Sequence, residues 1–132
     1  MDYKISTAKN NLTAEEFIHI SQAVGWGKHR IYDIEKIKTA LRKTSFIVTI
    51  RDNTDQLVAC GRALSDDMFF TTIPDIFVVP EYQSKGLGTV IMQKIIDKYS
   101  HTKIFFGSQP GNEIFFEKLG FKKDLQSYGM KK

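Results

Sequence analysis

The residues of this chain best suited to chemistry lie in one short run, Gln83-Ser84-Lys85-Gly86-Leu87-Gly88. An apolar run precedes it, Ile76-Phe77-Val78-Val79, and an amphipathic run follows, Thr89 to Ile96. The first has the composition of a strand and the second the periodicity of a helix. A strand that turns through glycines into a helix leaves backbone N–H groups unpaired at the helix start, and the helix dipole adds positive partial charge there. The chemistry implied is anion binding, most often of phosphate. Lys85 contributes a mobile cation. The competing reading is that Gly86 and Gly88 only shape a tight turn.

The spacing narrows the choice of ligand. A dinucleotide loop needs a third glycine three residues after the second, where this chain has Ile91. A nucleoside-triphosphate loop ends in Gly-Lys-Ser/Thr, whereas Gly88 is followed by Thr89-Val90. The pattern here is Gln-x-x-Gly-x-Gly after Val79-Pro80-Glu81-Tyr82. Proline ends the preceding strand and holds Val79 extended.

With these residues in view, the chain resembles the GNAT superfamily of acetyl-CoA-dependent N-acetyltransferases. Ile76 through Gly88 looks like that family's central acetyl-CoA motif. Asn112-Glu113-Ile114-Phe115-Phe116-Glu117-Lys118-Leu119-Gly120-Phe121 is similar to its second motif, an asparagine, an aromatic pair and a Glu-Lys-x-Gly-Phe helix end. The resemblance is clear over residues 57 to 121, and the first half matches in pattern.

The resemblance implies acetyl transfer from acetyl-CoA to a primary amine by direct attack in a ternary complex. It places the pyrophosphate on the amides of Ser84 through Thr89, with Gln83, Lys85, Gly86, Leu87 and Gly88 in the same loop. The pantetheine arm would lie along Ile76-Phe77-Val78 like an added strand, between two splayed parallel strands. An amide at Ile76 or Val78 would polarise the thioester carbonyl, a kind of stabilisation worth about 10²–10³-fold per donor elsewhere. Asn112, Phe115 and Phe116 would line the arm, although Asn112 also suits a helix N-cap.

The amine must lose a proton, so a carboxylate base is needed. Asp75, just before the cofactor strand, is the first candidate; a strand-edge charge or backbone cap is the alternative. Asp66 and Asp67 come second and suit a turn better. Phe116 stands where many members carry the tyrosine that protonates the leaving thiolate. Tyr128 or water would take that part, and a thiol pKa of about 8.5 makes thiolate a tolerable leaving group. The same departure leaves room for a non-catalytic acyl-CoA sensor or scaffold. Trp26 and Tyr32, within Gly25-Trp26-Gly27-Lys28 and just after, fall where acceptor specificity usually resides; Trp26 also suits a core plug.

Composition bounds these readings. A length of 132 residues implies one domain, 1–132, and 42% hydrophobic with 26% charged residues is ordinary for a globular protein. No apolar run approaches the ~20 residues of a membrane span, and the start of the chain lacks a signal-like run, so a cytoplasmic location with no membrane partner is expected. One cysteine excludes an internal disulfide, and Cys60 within Leu57 to Gly61 reads as a packed thiol. The three histidines lack metal-ligand spacing, so no metal is expected. The net charge of +4 arises from interspersed charges, without the basic stripe of a nucleic-acid binder. The expected partner is a small-molecule or peptide amine, and the protein a monomer or homodimer.

The elements that must position the site follow from local signals. Thr13 and Glu16 form a capping-box signature ahead of a helix with Phe17, Ile18, Ile20 and Val24 on its apolar side. A second helix follows Asp33. Ser45–Arg51 and Gln56–Leu64 flank the turn Asp52-Asn53-Thr54-Asp55. A long strand is expected from Phe69 to Val79, with a break at Pro74. A helix to Tyr99, a short buried strand Lys103–Gly107, a helix Gly111–Leu119 and a last strand within Lys122–Tyr128 complete the order. The pattern is a mixed α/β sheet with flanking helices; the resemblance adds that it is mostly antiparallel, with the splayed parallel pair at the cofactor site.

Overall fold

The structure, a computed structural model, describes residues 2–26 and 32–130. Five strands form one sheet in sequence order: β1 (Lys4–Ser6), β2 (Phe46–Arg51), β3 (Leu57–Ser65), β4 (Phe70–Val78) and β5 (Lys103–Phe105). The first three pairings are antiparallel and β4–β5 is parallel. Helices α1 (Ala14–Ala23) and α2 (Ile34–Lys43) precede β2; α3 (Leu87–Tyr99) connects β4 to β5, and α4 (Glu113–Lys118) follows β5.

The local signals act as their chemistry requires. Thr13 Oγ1 accepts from the Glu16 N–H at 3.1 Å, and the Glu16 carboxylate accepts from the Thr13 N–H at 3.1 Å, closing the capping box on α1. Asp33 Oδ1 accepts from the N–H groups of Glu35 and Lys36, capping α2. The Asp52 carboxylate gathers the Thr54 hydroxyl and the N–H groups of Thr54 and Gln56, which turns β2 into β3.

The sheet carries a core on each face. On one, α3 sets Leu87, Ile91, Met92 and Ile95 against Val48, Ile50, Ala59 and Ala63. Gly61 permits this approach, because a Cβ there would run into the Ile91 Cγ2 methyl. On the other, Phe17 and Ile20 of α1 and Leu41 of α2 pack on Ile47, Cys60 and Phe77. In α1 the buried positions are Ala14, Phe17, Ile20 and Ser21; Ile18 is only half-buried.

Two expectations change. Pro74 does not break the long strand. It lies in a bulge of β4, where three steps from Thr72 to Asp75 oppose two from Leu64 to Arg62. A bulge accommodates the missing N–H of proline. At the C-terminus, residues 122–130 form no strand. Phe121 packs on Phe106 and Asp124 pairs with Lys103, so the chain passes beside β5 without entering the ladder. Lys122-Lys123-Asp124 lacks the apolar alternation that would bury one side. The β5 strand is also shorter and less buried than expected, with Lys103 and Phe105 exposed around a half-buried Ile104.

Candidate active site

The parallel pair opens within β4, ahead of Ile76-Phe77-Val78. Pairing of β4 with β5 covers Phe70–Thr72 against Lys103–Phe105 and stops before the bulge. Beyond it, β4 continues to Val78 against β3 alone. The Val79 N–H donates to the Val58 carbonyl across that ladder at 3.0 Å. Strand N–H groups alternate in direction, so Phe77 and Asp75 face β3, while Ile76 and Val78 present theirs to the side that β5 has left. The Gln83 side chain donates to the Val78 carbonyl on that same side, at 3.0 Å. An open strand edge thus leads from Ile76 towards the glycine loop.

The loop enters α3 through left-handed backbone, with φ of 63° at Ser84 and 83° at Gly86. Such geometry gathers N–H groups into an anion-binding concavity. Gly86 is the N-cap and offers no side-chain cap. The first helical bond runs from the Val90 N–H to the Gly86 carbonyl, leaving the N–H groups of Leu87, Gly88 and Thr89 without a helical partner. No acidic side chain occupies the first turn. The two glycines serve different ends: Gly86 allows a left-handed φ, with open space where a Cβ would be, whereas a Cβ on Gly88 would come within 3.3 Å of the Phe115 ring.

Phe115 and Phe116 carry α4 onto this end of the molecule. Phe116 packs tilted against Phe106 at 4.5 Å between centroids and edge-on against Phe115 at 5.0 Å. Asn112 occupies the N-cap of α4 but makes no side-chain cap hydrogen bond, and it is exposed. Glu113 instead accepts from the Gly111 N–H.

The face of the sheet under α1 and α2 carries the other candidates. Trp26 lies 6.3 Å from Phe77, centroid to centroid, and is 44% exposed, so it packs on β4 without being sealed in the core. The Tyr32 hydroxyl meets Ser21 Oγ at 3.1 Å and joins the start of α2 to α1. Gly27 and Lys28 lie outside the described residues. A hollow of about 530 Å³ opens beside this region, lined by His19, Gln56, Leu57, Val79, Pro80 and Tyr82 among others.

Asp75 is not the free carboxylate its position suggests. Both oxygens accept from Arg62, with Nη2–Oδ2 at 2.6 Å and Nε at 3.1 Å from each. Arg62 was invisible to sequence reasoning because its partner depends on strand register. Asp66 and Asp67 occupy the far end of β4. Asp66 accepts the N–H groups of Met68, Phe69 and Phe70, and these hold its carboxyl below the ordinary carboxylate range. Tyr128 is 89% exposed, four residues beyond Asp124, which sits at the start of β5 and away from its opened end. Among the described residues it makes no side-chain hydrogen bond or ring contact with the other candidates. Among the described residues no group of three His, Cys, Asp or Glu side chains is arranged to hold a metal.

A mixed sheet opened between its parallel strands, with an uncapped glycine-loop helix at the mouth, suits a phosphate-bearing ligand lying along a strand edge. The chain belongs to the GNAT acetyltransferases: residues 11–131 match the family model described as Acetyltransferase (GNAT) domain. It is 33% identical over 129 residues to an uncharacterized N-acetyltransferase, ycf52, of Porphyra purpurea, covering 93% of this chain and 72% of that protein. It is 31% identical to the chloroplastic GCN5-related N-acetyltransferase 1 of Arabidopsis thaliana, over 86% of this chain and 58% of that one. A GNAT-family acetyltransferase of Streptococcus pneumoniae shares the fold with a TM-score of 0.80 at 22% identity, over 99% of this chain and 98% of the other.

Proposed function

We propose that residues 1–132 act as one N-acetyltransferase domain that takes acetyl-CoA as donor and a primary amine as acceptor. The observation that carries the reading is the open edge of β4 running into the uncapped start of α3. Acetyl-CoA supplies an activated thioester. Ser84 through Thr89 hold its pyrophosphate by backbone N–H groups, with Gln83, Lys85 and Leu87 completing the loop. Ile76, Phe77 and Val78 bind the arm along the strand edge, and Asn112, Phe115 and Phe116 wall it. The N–H of Ile76 or Val78 is aimed at the carbonyl oxygen, where a fixed donor lowers the barrier most.

Transfer forms an N–C bond and breaks the C–S bond. In our reading the first proton leaves the ammonium through water towards the Asp75 carboxylate, which keeps its bond to Arg62, and the second passes from the nitrogen to the departing thiolate as the N–C bond forms, so no tyrosine acid is used. Trp26 and Tyr32 border the acceptor side. No helix among the described residues is long and apolar enough to cross a membrane. Relatives named as chloroplastic add a plastid to the cytoplasm expected from the sequence.

One observation favours a second reading. Phe116, without a hydroxyl, packs on Phe106 and Phe115, which suits a domain that holds acyl-CoA without turnover. Thiol release separates the two. The acceptor panel follows the names of relatives and structural neighbours: a histone-tail lysine peptide, glucosamine 6-phosphate and a peptide with N-terminal alanine, plus an aromatic alkylamine for the exposed Trp26. Turnover with any of them above background hydrolysis supports the enzyme. Saturable acetyl-CoA binding with no turnover across the panel supports the sensor.

A further inference from the structure

Arg62 and Asp75 occupy directly opposed positions on β3 and β4. Their side chains are 14% and 12% exposed, so the pair is largely removed from water. The remaining guanidinium nitrogen, Nη1, donates to Thr44 Oγ1 at 3.0 Å, at the C-cap of α2. The Phe17 ring of α1 lies under the same guanidinium, 5.2 Å from centroid to Cζ. One side chain therefore ties β3, β4, α1 and α2 together. Its place along β4 matters as much. The pairing Arg62–Asp75 is the last regular one before the bulge, and β5 has already stopped pairing at Thr72. At this point β4 must choose between its two neighbours.

We infer that Arg62 is a positioning residue for acetyl transfer: it holds the Asp75 carboxylate, and with it the start of the opened half of β4, in the geometry the reaction uses. Nε donates to both oxygens and Nη2 to Oδ2, so the carboxylate is fixed in rotation as well as place. Lysine would keep the charge without the fork. The side chain itself stays on the α1–α2 side of the sheet, bound to Asp75, Thr44 and Phe17. It acts through Asp75 and not on the transferred group. The inference rests on the acetyl-transfer reading above.

The test is a double-mutant cycle read on steady-state kinetics, with the panel amine of highest turnover and with acetyl-CoA affinity measured separately by calorimetry. Arg62→Met is expected to lower kcat about 10- to 100-fold, the cost of a small misplacement of a reacting group, while acetyl-CoA affinity is retained. Arg62→Lys is expected to fall between Arg62→Met and wild type. Asp75→Met and the double variant Arg62→Met/Asp75→Met are expected to be equally slow, because Arg62 has nothing to position once Asp75 is gone. The double variant also guards against a folding failure, since replacing both members of a buried pair by apolar residues is often neutral for stability. Wild-type kcat in Arg62→Met would overturn the inference, as would losses that simply multiply in the double variant. Absence of thiol release from wild-type protein would instead overturn the acetyl-transfer reading.

Discussion

Gly88 sits under the ring of Phe115, so close that a Cβ on Gly88 would stand 3.3 Å from Phe115 Cζ. This contact joins the two sequence motifs in space. The glycine loop supplies N–H groups at the start of α3, and α4 closes over that turn with an aromatic wall. A β-branched side chain at position 88 must displace the ring or block the approach of a ligand to the backbone. Gly88→Val is therefore expected to weaken acetyl-CoA binding at least about tenfold, measured by calorimetry, with far-ultraviolet circular dichroism unchanged.

Gly61 meets α3 on the core side of the sheet. A methyl group there would collide with Ile91 Cγ2, and Ile91 is fully buried. Overpacking of this kind costs about 1–3 kcal/mol. Chemical denaturation of Gly61→Ala is expected to show that loss, with the midpoint lowered and the slope unchanged.

Glu16 caps α1 and also receives Arg51, at 2.7 Å from Nη1 to Oε2. The Arg51 hydrogen bonds hold its carboxyl below the ordinary range, against the opposing effect of burial. A carboxylate depressed in the folded state stabilises the fold at neutral pH, and that contribution disappears as pH falls through the folded value. Glu16→Gln is expected to lose about 1.5–3 kcal/mol at pH 7, the range for hydrogen bonds to a charged group. The deficit relative to wild type should shrink on acidification, in thermal melts recorded from pH 7 down to pH 3.

Cys60 is fully buried between the sheet and α1, and burial pushes its thiol pKa up. Only thiolate reacts readily with disulfide reagents. The folded protein is expected to leave the thiol unlabelled over minutes, and denaturant should release one equivalent. Prompt labelling in native buffer would mean that the α1–sheet contact opens easily.

What could be read in the sequence was local. The Thr13–Glu16 box lies within one helical turn and forms as spelled, and the second helix begins after Asp33 as expected. The strand-to-helix turn through Gly86 was equally legible, because it is made of backbone between adjacent elements. Cross-strand chemistry was not. That Asp75 meets Arg62 depends on a register shifted by a bulge, and no periodicity in either strand reports it. The final strand failed for a related reason: Phe121 and Asp124 find partners on Phe106 and Lys103 through side chains, without the backbone ladder that a strand requires. Trp26 lies between the two roles its sequence allowed, touching Phe77 with nearly half its surface open.

The central claim is that a single ligand spans the open edge of β4 and the start of α3. The direct measurement is a titration of isotope-labelled protein with acetyl-CoA, followed through backbone amide resonances. Saturable shifts are expected at Ile76 and Val78 together with Leu87, Gly88 and Thr89, on one common binding curve. No saturable shift, or shifts that leave both the Ile76–Val78 edge and the Leu87–Thr89 turn untouched, would contradict it.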